Sequence, residues 1–117
     1  MNQTKLVSVP ESTWGANGIR LAIEENAAII EYDCADGIIE ETLKVDKQGN
    51  FTANGVHIRQ KGGPIREDSP PPRQPANYQG RISGDKMTLK VTLSKTDEVI
   101  GEFILQRGKT PRMHRCY

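Results

Sequence analysis

The sequence is poor in the features by which a function is usually recognised. No apolar run approaches the roughly 20 residues of a helix that crosses a membrane, and the stretch from Met1 to Pro10 has no apolar segment of the signal-peptide kind. The 2 cysteines are too sparse for a zinc site. The formal net charge of +1 lacks the basic excess of a dedicated nucleic-acid-binding domain. These absences predict a chain with no signal peptide, no transmembrane segment, no nucleic-acid partner, no metal and no cofactor.

Length and composition favour one domain with a thin core. The 117 residues suit a single domain, 1–117, and leave no room for two. Hydrophobic residues make up 35% of the chain and charged residues 26%. This balance is typical of a sheet that buries one face and leaves the other in water.

Alternation of apolar and polar residues is the dominant signal. From Met87 to Ser94 every second residue is apolar, which predicts a half-buried strand. A similar alternation runs from Tyr78 to Ser83, and Gly84-Asp85 between the two predicts a two-residue hairpin turn.

Further alternating stretches bring the number of predicted strands to eight. They cover residues 19–24, 28–34, 39–45, 51–59 and 98–107, with a weaker strand at 4–9 and a turn at 35–37. Short turns between successive strands predict an antiparallel up-and-down meander. Eight strands just close a barrel whose interior is filled or holds one small ligand. The predicted fold is therefore all-β, a closed or nearly closed barrel.

Two polar residues bear on how the strands face. The strand at 51–59 is expected to change phase at Gly55, which points Val56 and Ile58 inward and leaves His57 in water or at the barrel rim. Glu41 falls on the inward face of the strand at 39–45. Because a buried carboxylate is costly unless it is paired, either a bulge turns Glu41 outward or it lines a polar cavity.

One connection is unusually long. Residues 60–77 contain five of the 7 prolines, including three in succession, which favours a stiff extended conformation. Loops of this length are uncommon in compact domains and are usually functional or disordered. The loop is thus either a disordered excursion, or a flap over the barrel mouth or a protruding recognition element.

Cys34 and Cys116 can pin the C-terminal tail, residues 109–117, to the barrel through a disulfide. In the loop-entropy model such a bridge contributes about 4 to 5 kcal/mol. It would favour a periplasmic or secreted location, since disulfides persist in oxidising compartments. The alternatives are buried or free thiols, or a catalytic thiol, which no local signature supports.

Several motifs together resemble a known group of proteins. They are W-G-x-x-x-I-x-L at 14–21, D-C-A-x-G at 33–37, G-x-F at 49–51, G-G-P-I-R at 62–66 and Y-x-G-R-I-x-G-x-x-M-x-L-x-V at 78–91. The succession resembles small uncharacterised bacterial proteins, many of them exported, and this resemblance implies no activity. In strand pattern, and in a tryptophan near the first long strand, the chain is also similar to lipocalin-like (calycin-like) barrels. Ligand binding inferred from that likeness is analogy, because a fold does not determine a function.

Three functions are compatible with these patterns, and we expect the first, a binding module without enzymatic activity. It would hold a small apolar or amphipathic ligand through the larger inward side chains, which are Trp14, Tyr32, Phe51, Tyr78, Met87 and Phe103. Trp14 alternatively only closes the barrel bottom. The second is an exported interaction or inhibitor module that contacts a protein through Ile65, Arg66 and Arg73. The third is an enzyme, which would need a polar cluster such as Glu41, His57 and Arg59 within one pocket.

Overall fold

The structure, a computed structural model, describes residues 6–33, 35–59 and 73–110. Within these residues the chain forms ten strands. They are β1 (Val7–Ser8), β2 (Ser12–Ala16), β3 (Ile19–Ile23), β4 (Ala28–Tyr32), β5 (Ala35–Ile39), β6 (Lys44–Val45), β7 (Asn50–Arg59), β8 (Arg73–Ser83), β9 (Lys86–Leu93) and β10 (Val99–Arg107). No helix with the length and apolarity of a membrane span occurs in this described part of the chain.

Eight of the strands form a closed antiparallel barrel, which confirms the predicted fold class. The order around the barrel is β10-β2-β3-β4-β5-β7-β8-β9, so that β10 returns to pair with β2. β1 and β6 lie outside this ring as a two-stranded ribbon, in which Val7 pairs with Val45. Val9 and Val45 pack against the core. The ribbon therefore covers the end of the barrel at which β5 ends and β7 begins, called the closed end below. At the opposite end, where β7 ends and β8 begins, the described residues form no such covering ribbon, and this end is called the open end below.

The β8–β9 hairpin forms as predicted. Ser83 pairs with Lys86, and Gly84 between them has a φ of +61°, a left-handed conformation that glycine adopts at no steric cost. The alternating apolar residues of β9 all point into the barrel, and none of their side chains is more than 4% exposed. β9 thus buries the face that its period-two pattern marks as apolar.

The barrel interior is filled by large side chains, and one of them requires a glycine opposite. Tyr78 is fully buried, and its hydroxyl donates a hydrogen bond to the Val56 carbonyl oxygen at 2.7 Å. A Cβ at position 37 would lie 2.5 Å from that hydroxyl oxygen. Tyr78 can therefore extend over the adjacent strand β7, as far as Val56 and Gly37 of β5, only because residue 37 has no side chain.

The structure corrects several predicted boundaries. The predicted turn at 35–37 is wrong, since these residues lie in β5. Of the predicted strand at 39–45, Ile39 is the last residue of β5 and Lys44–Val45 form β6 outside the barrel. The first barrel strand is Ser12–Ala16, whereas the predicted strand at 4–9 contributes only Val7–Ser8 to the ribbon. β8 begins at Arg73, so residues 73–77, predicted as loop, are strand. Asp36 and Gly37 are residue types that are common in turns. In the structure, however, position 37 requires glycine because the Tyr78 hydroxyl lies against it.

The side chains of β7 that point inward also differ from those predicted. Phe51, Ala53 and His57 are all buried, so one parity continues along the strand without a phase change, and His57 is only 2% exposed. Val56 is half-buried on the outer face. Glu41 is exposed in the segment that follows β5, so neither of its two predicted placements within a strand occurs.

Candidate functional site

The open end of the barrel holds a cavity of about 590 Å³. β10 pairs with β2 only through Gln106 with Gly15 and Arg107 with Trp14, so in the described pairing the first half of β10 has no partner on its β2 side. The cavity lies along this seam, between β10 and the tip of the β2–β3 hairpin. Its lining residues are Asn17, Gly18, Tyr32, Asp33, Ala35, His57, Arg59, Glu98, Val99, Ile100 and Phe103.

An irregularity in β10 shapes one wall of this cavity. The register of β10 against β9 shifts between Val99 and Gly101, as at a β-bulge. Val99 is left 51% exposed beside the cavity, while Ile100 is half-buried against the core. The bulge therefore adds apolar surface to the seam at the point where β10 has no β2 partner.

Three aromatic rings meet at the floor of the cavity. The ring centroids of Tyr32 and His57 lie 5.4 Å apart in an edge-to-face arrangement. Those of Tyr32 and Phe103 lie 5.7 Å apart at 49°. The rings come from β4, β7 and β10, which are not neighbours in the barrel order, so the cluster forms across the interior. Such pairs add about 0.5–1.5 kcal/mol beyond the burial of their surface.

His57 places a polar atom in this aromatic floor. Its Nδ1 is buried and has no hydrogen-bond partner within the described residues. Burial lowers the pKa of the imidazole, and the nearby Arg59 lowers it further, against smaller opposing effects of Glu98 and Asp36. His57 is therefore neutral at pH 7. A neutral imidazole carries one donor and one acceptor nitrogen, and leaving such a buried group unpaired costs about 1–3 kcal/mol.

The tyrosine beside His57 is not a titrating group under physiological conditions. Burial raises the pKa of the Tyr32 hydroxyl well above its usual value, and the neighbouring Tyr78 raises it further. Burial likewise raises the pKa of Tyr78. Both hydroxyls remain protonated, so Tyr32 presents a neutral ring to the cavity.

Charged side chains stand around the rim. Arg59, at the end of β7, forms an ion pair with Glu98, which precedes β10, at 3.4 Å. Their side chains are 58% and 55% exposed, and pairs this exposed contribute only about 0–1 kcal/mol. Asp33 lies on the opposite side of the cavity, where its carboxylate sits beside Gly18 of the hairpin tip. The rim is therefore charged, while the floor is aromatic and neutral.

Two of the predicted ligand-binding residues line this cavity and four do not. Tyr32 and Phe103 belong to its floor. The other four, Trp14, Phe51, Tyr78 and Met87, are buried in the filled interior, each no more than 5% exposed. They were predicted because their side chains point into the barrel, but a side chain of the packed core points inward just as a ligand contact does.

Trp14 is held in place at the other end of the seam. Its ring nitrogen donates a hydrogen bond to Ser12 Oγ at 3.0 Å. The Arg107 guanidinium lies over the ring, 4.9 Å from its centroid, and also donates to the carbonyl oxygen of Gly84 at 3.2 Å. The contact between Arg107 and Trp14 joins the last barrel strand to the first.

The remaining predicted residues are not gathered into this site. Glu41 is exposed beyond the closed-end terminus of β5, so it does not form a cluster with His57 and Arg59. Arg73 is exposed at the first position of β8. Ile65, Arg66, Cys34 and Cys116 lie outside the described residues, so the interaction loop and the disulfide stay predictions.

Sequence reasoning named His57 and Arg59 as part of a possible polar cluster, and both line the cavity, but it missed the burial of His57 and the residues of the hairpin tip. His57 shares the parity of Phe51 and Ala53, and an unbroken alternation would have placed it inside. The half-buried Val56 and Ile58 on either side of it hid this signal. No local pattern marks Asn17 or Gly18 as cavity residues, because they reach it only through closure of the barrel.

A second depression, of about 570 Å³, lies on the side of the barrel. Polar and charged side chains of the outer face of β8, β9 and β10 contribute much of its lining, including Arg81, Lys90 and Glu102, with Ile104 among them at 64% exposed. Phe103 lines this depression as well as the open-end cavity, whereas Tyr32 and His57 line only the latter.

No group of three His, Asp, Glu or Cys side chains within the described ranges is arranged to hold a metal ion. Comparison of the chain with protein-family models, with curated proteins and with solved structures finds no match. The structure shows the eight-stranded barrel. The resemblance to small uncharacterised bacterial proteins and to lipocalin-like barrels comes from the sequence, and none of the three comparisons supports it.

Proposed function

We propose that the protein is a non-enzymatic binding module that holds one small amphipathic ligand at the open end of its barrel. The observation that carries this proposal is the cavity of about 590 Å³ with Tyr32, His57 and Phe103 at its floor. Ligand sites are typically concave, about 300–1,000 Å³ in volume, mostly apolar, and lined by a few well-placed polar groups. The open-end cavity lies in this range of volume and combines an aromatic floor with polar residues at its rim.

The filled interior determines how deep the ligand lies. Tyr78 and its bond to the Val56 carbonyl occupy the interior next to His57, and the large side chains listed above occupy the rest. An eight-stranded barrel has room for a packed core or for one small ligand. The ligand therefore rests on the aromatic floor, with its apolar part against Tyr32 and Phe103 and its polar part at the rim.

A role in binding also agrees with the protonation states at the floor. General acid–base work needs a group whose pKa lies near the operating pH. Burial moves the pKa of Tyr32 upward and that of His57 downward, in both cases away from neutrality. The floor is suited to packing against a ligand rather than to transferring protons.

A neutral apolar dye, N-phenyl-1-naphthylamine, tests the location of the site. We expect its fluorescence to rise on binding to the wild type, and the rise to disappear in Val99→Trp, because the indole would fill the cavity. Ile104→Trp is the matched control, since it adds the same bulk to an exposed apolar position of the same strand but on the outer face. Loss of binding in Ile104→Trp with retention in Val99→Trp would place the dye in the side depression and contradict the proposal.

The mass of the purified, unreduced protein under native and then denaturing conditions tests whether it carries a natural ligand. We expect a discrete excess of native over denatured mass, which identifies the compound. If neither an adduct nor dye binding is seen, the cavity is only a recess in a packed barrel.

A further inference from the structure

A row of apolar side chains runs across the outer face of the barrel, where side chains normally meet water. Each residue of the row is the register partner of the next, from β3 through β4, β5 and β7 to β8. The members, called the apolar row below, are Ala22, Ile29, Ile38, Val56 and Pro75. Ile29 is 39% exposed and the other four are half-buried. Contiguous apolar surface of this kind is typical of a site of interaction with another molecule.

Carboxylates follow this row along its closed-end side. Glu24 and Glu40 each lie two positions beyond a member of the row, just after β3 and β5, and both are exposed. A hydrogen bond from Thr42 Oγ1 to the Glu25 carbonyl oxygen, at 3.0 Å, holds the segment after β5 against the turn after β3. Neither Glu24 nor Glu40 forms an ion pair with a described residue. The apolar row therefore has negative charge along one side.

The outer face of β8, β9 and β10 has the opposite character. Arg81, Lys86 and Lys90 are exposed there, and none of them forms an ion pair with a described residue. Among the residues of these three strands Glu102 is the single acid. The side depression of about 570 Å³ lies on this face, with Ile104 in its lining at 64% exposed. Basic side chains thus surround a recess and an exposed apolar residue.

The two surfaces lie on opposite sides of the barrel. In the order of strands, β7 and β8 separate β5 from β9 in one direction, and β3 and β2 separate β4 from β10 in the other. One molecule therefore cannot bring its own two surfaces together, whereas a second copy can place its basic surface on the acidic one. Because the two surfaces differ and face opposite ways, such a contact does not close in a dimer and continues from copy to copy.

We infer that the outer face of β3, β4 and β5, with the apolar row and the carboxylates of Glu24 and Glu40, is a docking surface for a second copy of this chain, which contributes the outer face of β8, β9 and β10. Ile29 of one copy packs against Ile104 of the next, and the carboxylates approach the bases around the depression. An apolar centre with charges at its edge is the usual anatomy of such a contact. This contact lies outside the open-end cavity and does not depend on its ligand.

The size of the surface sets the strength of the contact. Four strands about 4.8 Å apart, with outward residues about 7 Å apart along each strand, give about 300–400 Å² per copy for two to three rows. The total of about 600–800 Å² is smaller than the roughly 1,200–2,000 Å² of stable interfaces. The association should therefore be weak, with a dissociation constant on the order of 10⁻⁴ M. It should weaken about tenfold between about 20 and about 300 mM salt, because exposed charges are screened.

Sedimentation velocity of the wild-type protein from about 20 µM to about 1 mM tests the contact. We expect the mean mass to rise with concentration past that of a dimer without a plateau, and to fall at high salt. Glu24→Lys/Glu40→Lys removes the acidic surface and Arg81→Gln/Lys90→Gln the basic one, so each variant alone should be largely monomeric at about 0.2 mM. All four side chains are exposed, so both variants should fold, which their amide spectra check.

A mixture of the two variants tests the head-to-tail geometry, because each retains the surface that the other lacks. An equimolar mixture should form dimers and nothing larger, since such a dimer has no intact surface left at either end. Lys95→Gln/Lys109→Gln is the matched control for Arg81→Gln/Lys90→Gln. It makes the same change in net charge at exposed positions outside the strands, so it should associate as the wild type does.

Four results would overturn the inference. They are a wild type that stays monomeric at about 1 mM, a plateau at the mass of a dimer, equal losses of association in Arg81→Gln/Lys90→Gln and its control, and a mixture no heavier than the separate variants. The plateau would indicate a symmetric contact instead of a head-to-tail one. None of these results bears on the ligand cavity, whose lining does not include the substituted residues.

Discussion

Replacing Gly37 by alanine tests the contact between the Tyr78 hydroxyl and β5. The new Cβ would lie 2.5 Å from the Tyr78 hydroxyl oxygen, so the tyrosine must move and lose its bond to Val56. Overpacking a core costs about 1–3 kcal/mol, and unpaired buried groups add about 1–3 kcal/mol. Reduced freedom of the unfolded chain offsets about 0.4–1 kcal/mol. We expect Gly37→Ala to lower the free energy of unfolding by about 2–4 kcal/mol.

Urea unfolding of a double-mutant cycle measures this effect. Tyr78→Phe removes the hydroxyl and should by itself lower the free energy of unfolding by about 1–2 kcal/mol, because the hydrogen bond is lost. In Gly37→Ala/Tyr78→Phe the oxygen that meets the new Cβ is gone, so the combined loss should fall short of the sum by about 1–2 kcal/mol. Additive losses, or a Gly37→Ala variant as stable as the wild type, would refute the reasoning that residue 37 is glycine because of the hydroxyl.

Three further predictions concern the seam and the open end. The pKa of His57 is lowered in the folded protein, so the unfolded state takes up the proton first as pH falls below about 6.5. The free energy of unfolding should therefore decrease as pH falls over that range, by at most about 1.4 kcal/mol per pH unit. Urea unfolding of His57→Phe at several pH values should lack this pH-dependent decrease. If the free energy of unfolding of His57→Phe depended on pH as that of the wild type does, His57 would not be the titrating group. Arg107→Ala removes the cation over Trp14 and should lower the free energy of unfolding by about 1–2 kcal/mol. Arg107→Lys should recover only part of this loss, because lysine lacks the planar guanidinium. If Arg107→Ala left the free energy of unfolding unchanged, the seam would not depend on Arg107. The pair of Arg59 and Glu98 is more than half exposed, so a double-mutant cycle at 0.15 M salt should give a coupling below about 1 kcal/mol, and a coupling above about 2 kcal/mol would argue for a more buried contact.

The fold class was accessible from the sequence because its signals are local. The alternation in β9 and the Gly84-Asp85 turn each depend on a few consecutive residues, and both appear as predicted. The errors arose where a long-range contact overrides local chemistry. Gly37 was interpreted as a turn residue, but it lies within β5 opposite the Tyr78 hydroxyl, which is 41 positions away along the chain.

The candidate site was accessible only in part. Tyr32 and Phe103 were predicted as ligand contacts from their inward parity, and both line the cavity. The same reasoning also selected Trp14 and Met87, which lie in the packed interior. Parity tells which face a side chain takes, but it does not tell how deep along the barrel axis the side chain lies.

By itself, the sequence determined that this chain folds into successive antiparallel strands with one apolar face, because period-two alternation is written residue by residue. Only the tertiary structure decided where the barrel is filled and where it is open. The stagger of β10 against β2 leaves the first half of β10 without a partner there. That stagger is set by closure of all eight strands, and it is what places His57, Tyr32 and Phe103 from three separate strands around one cavity.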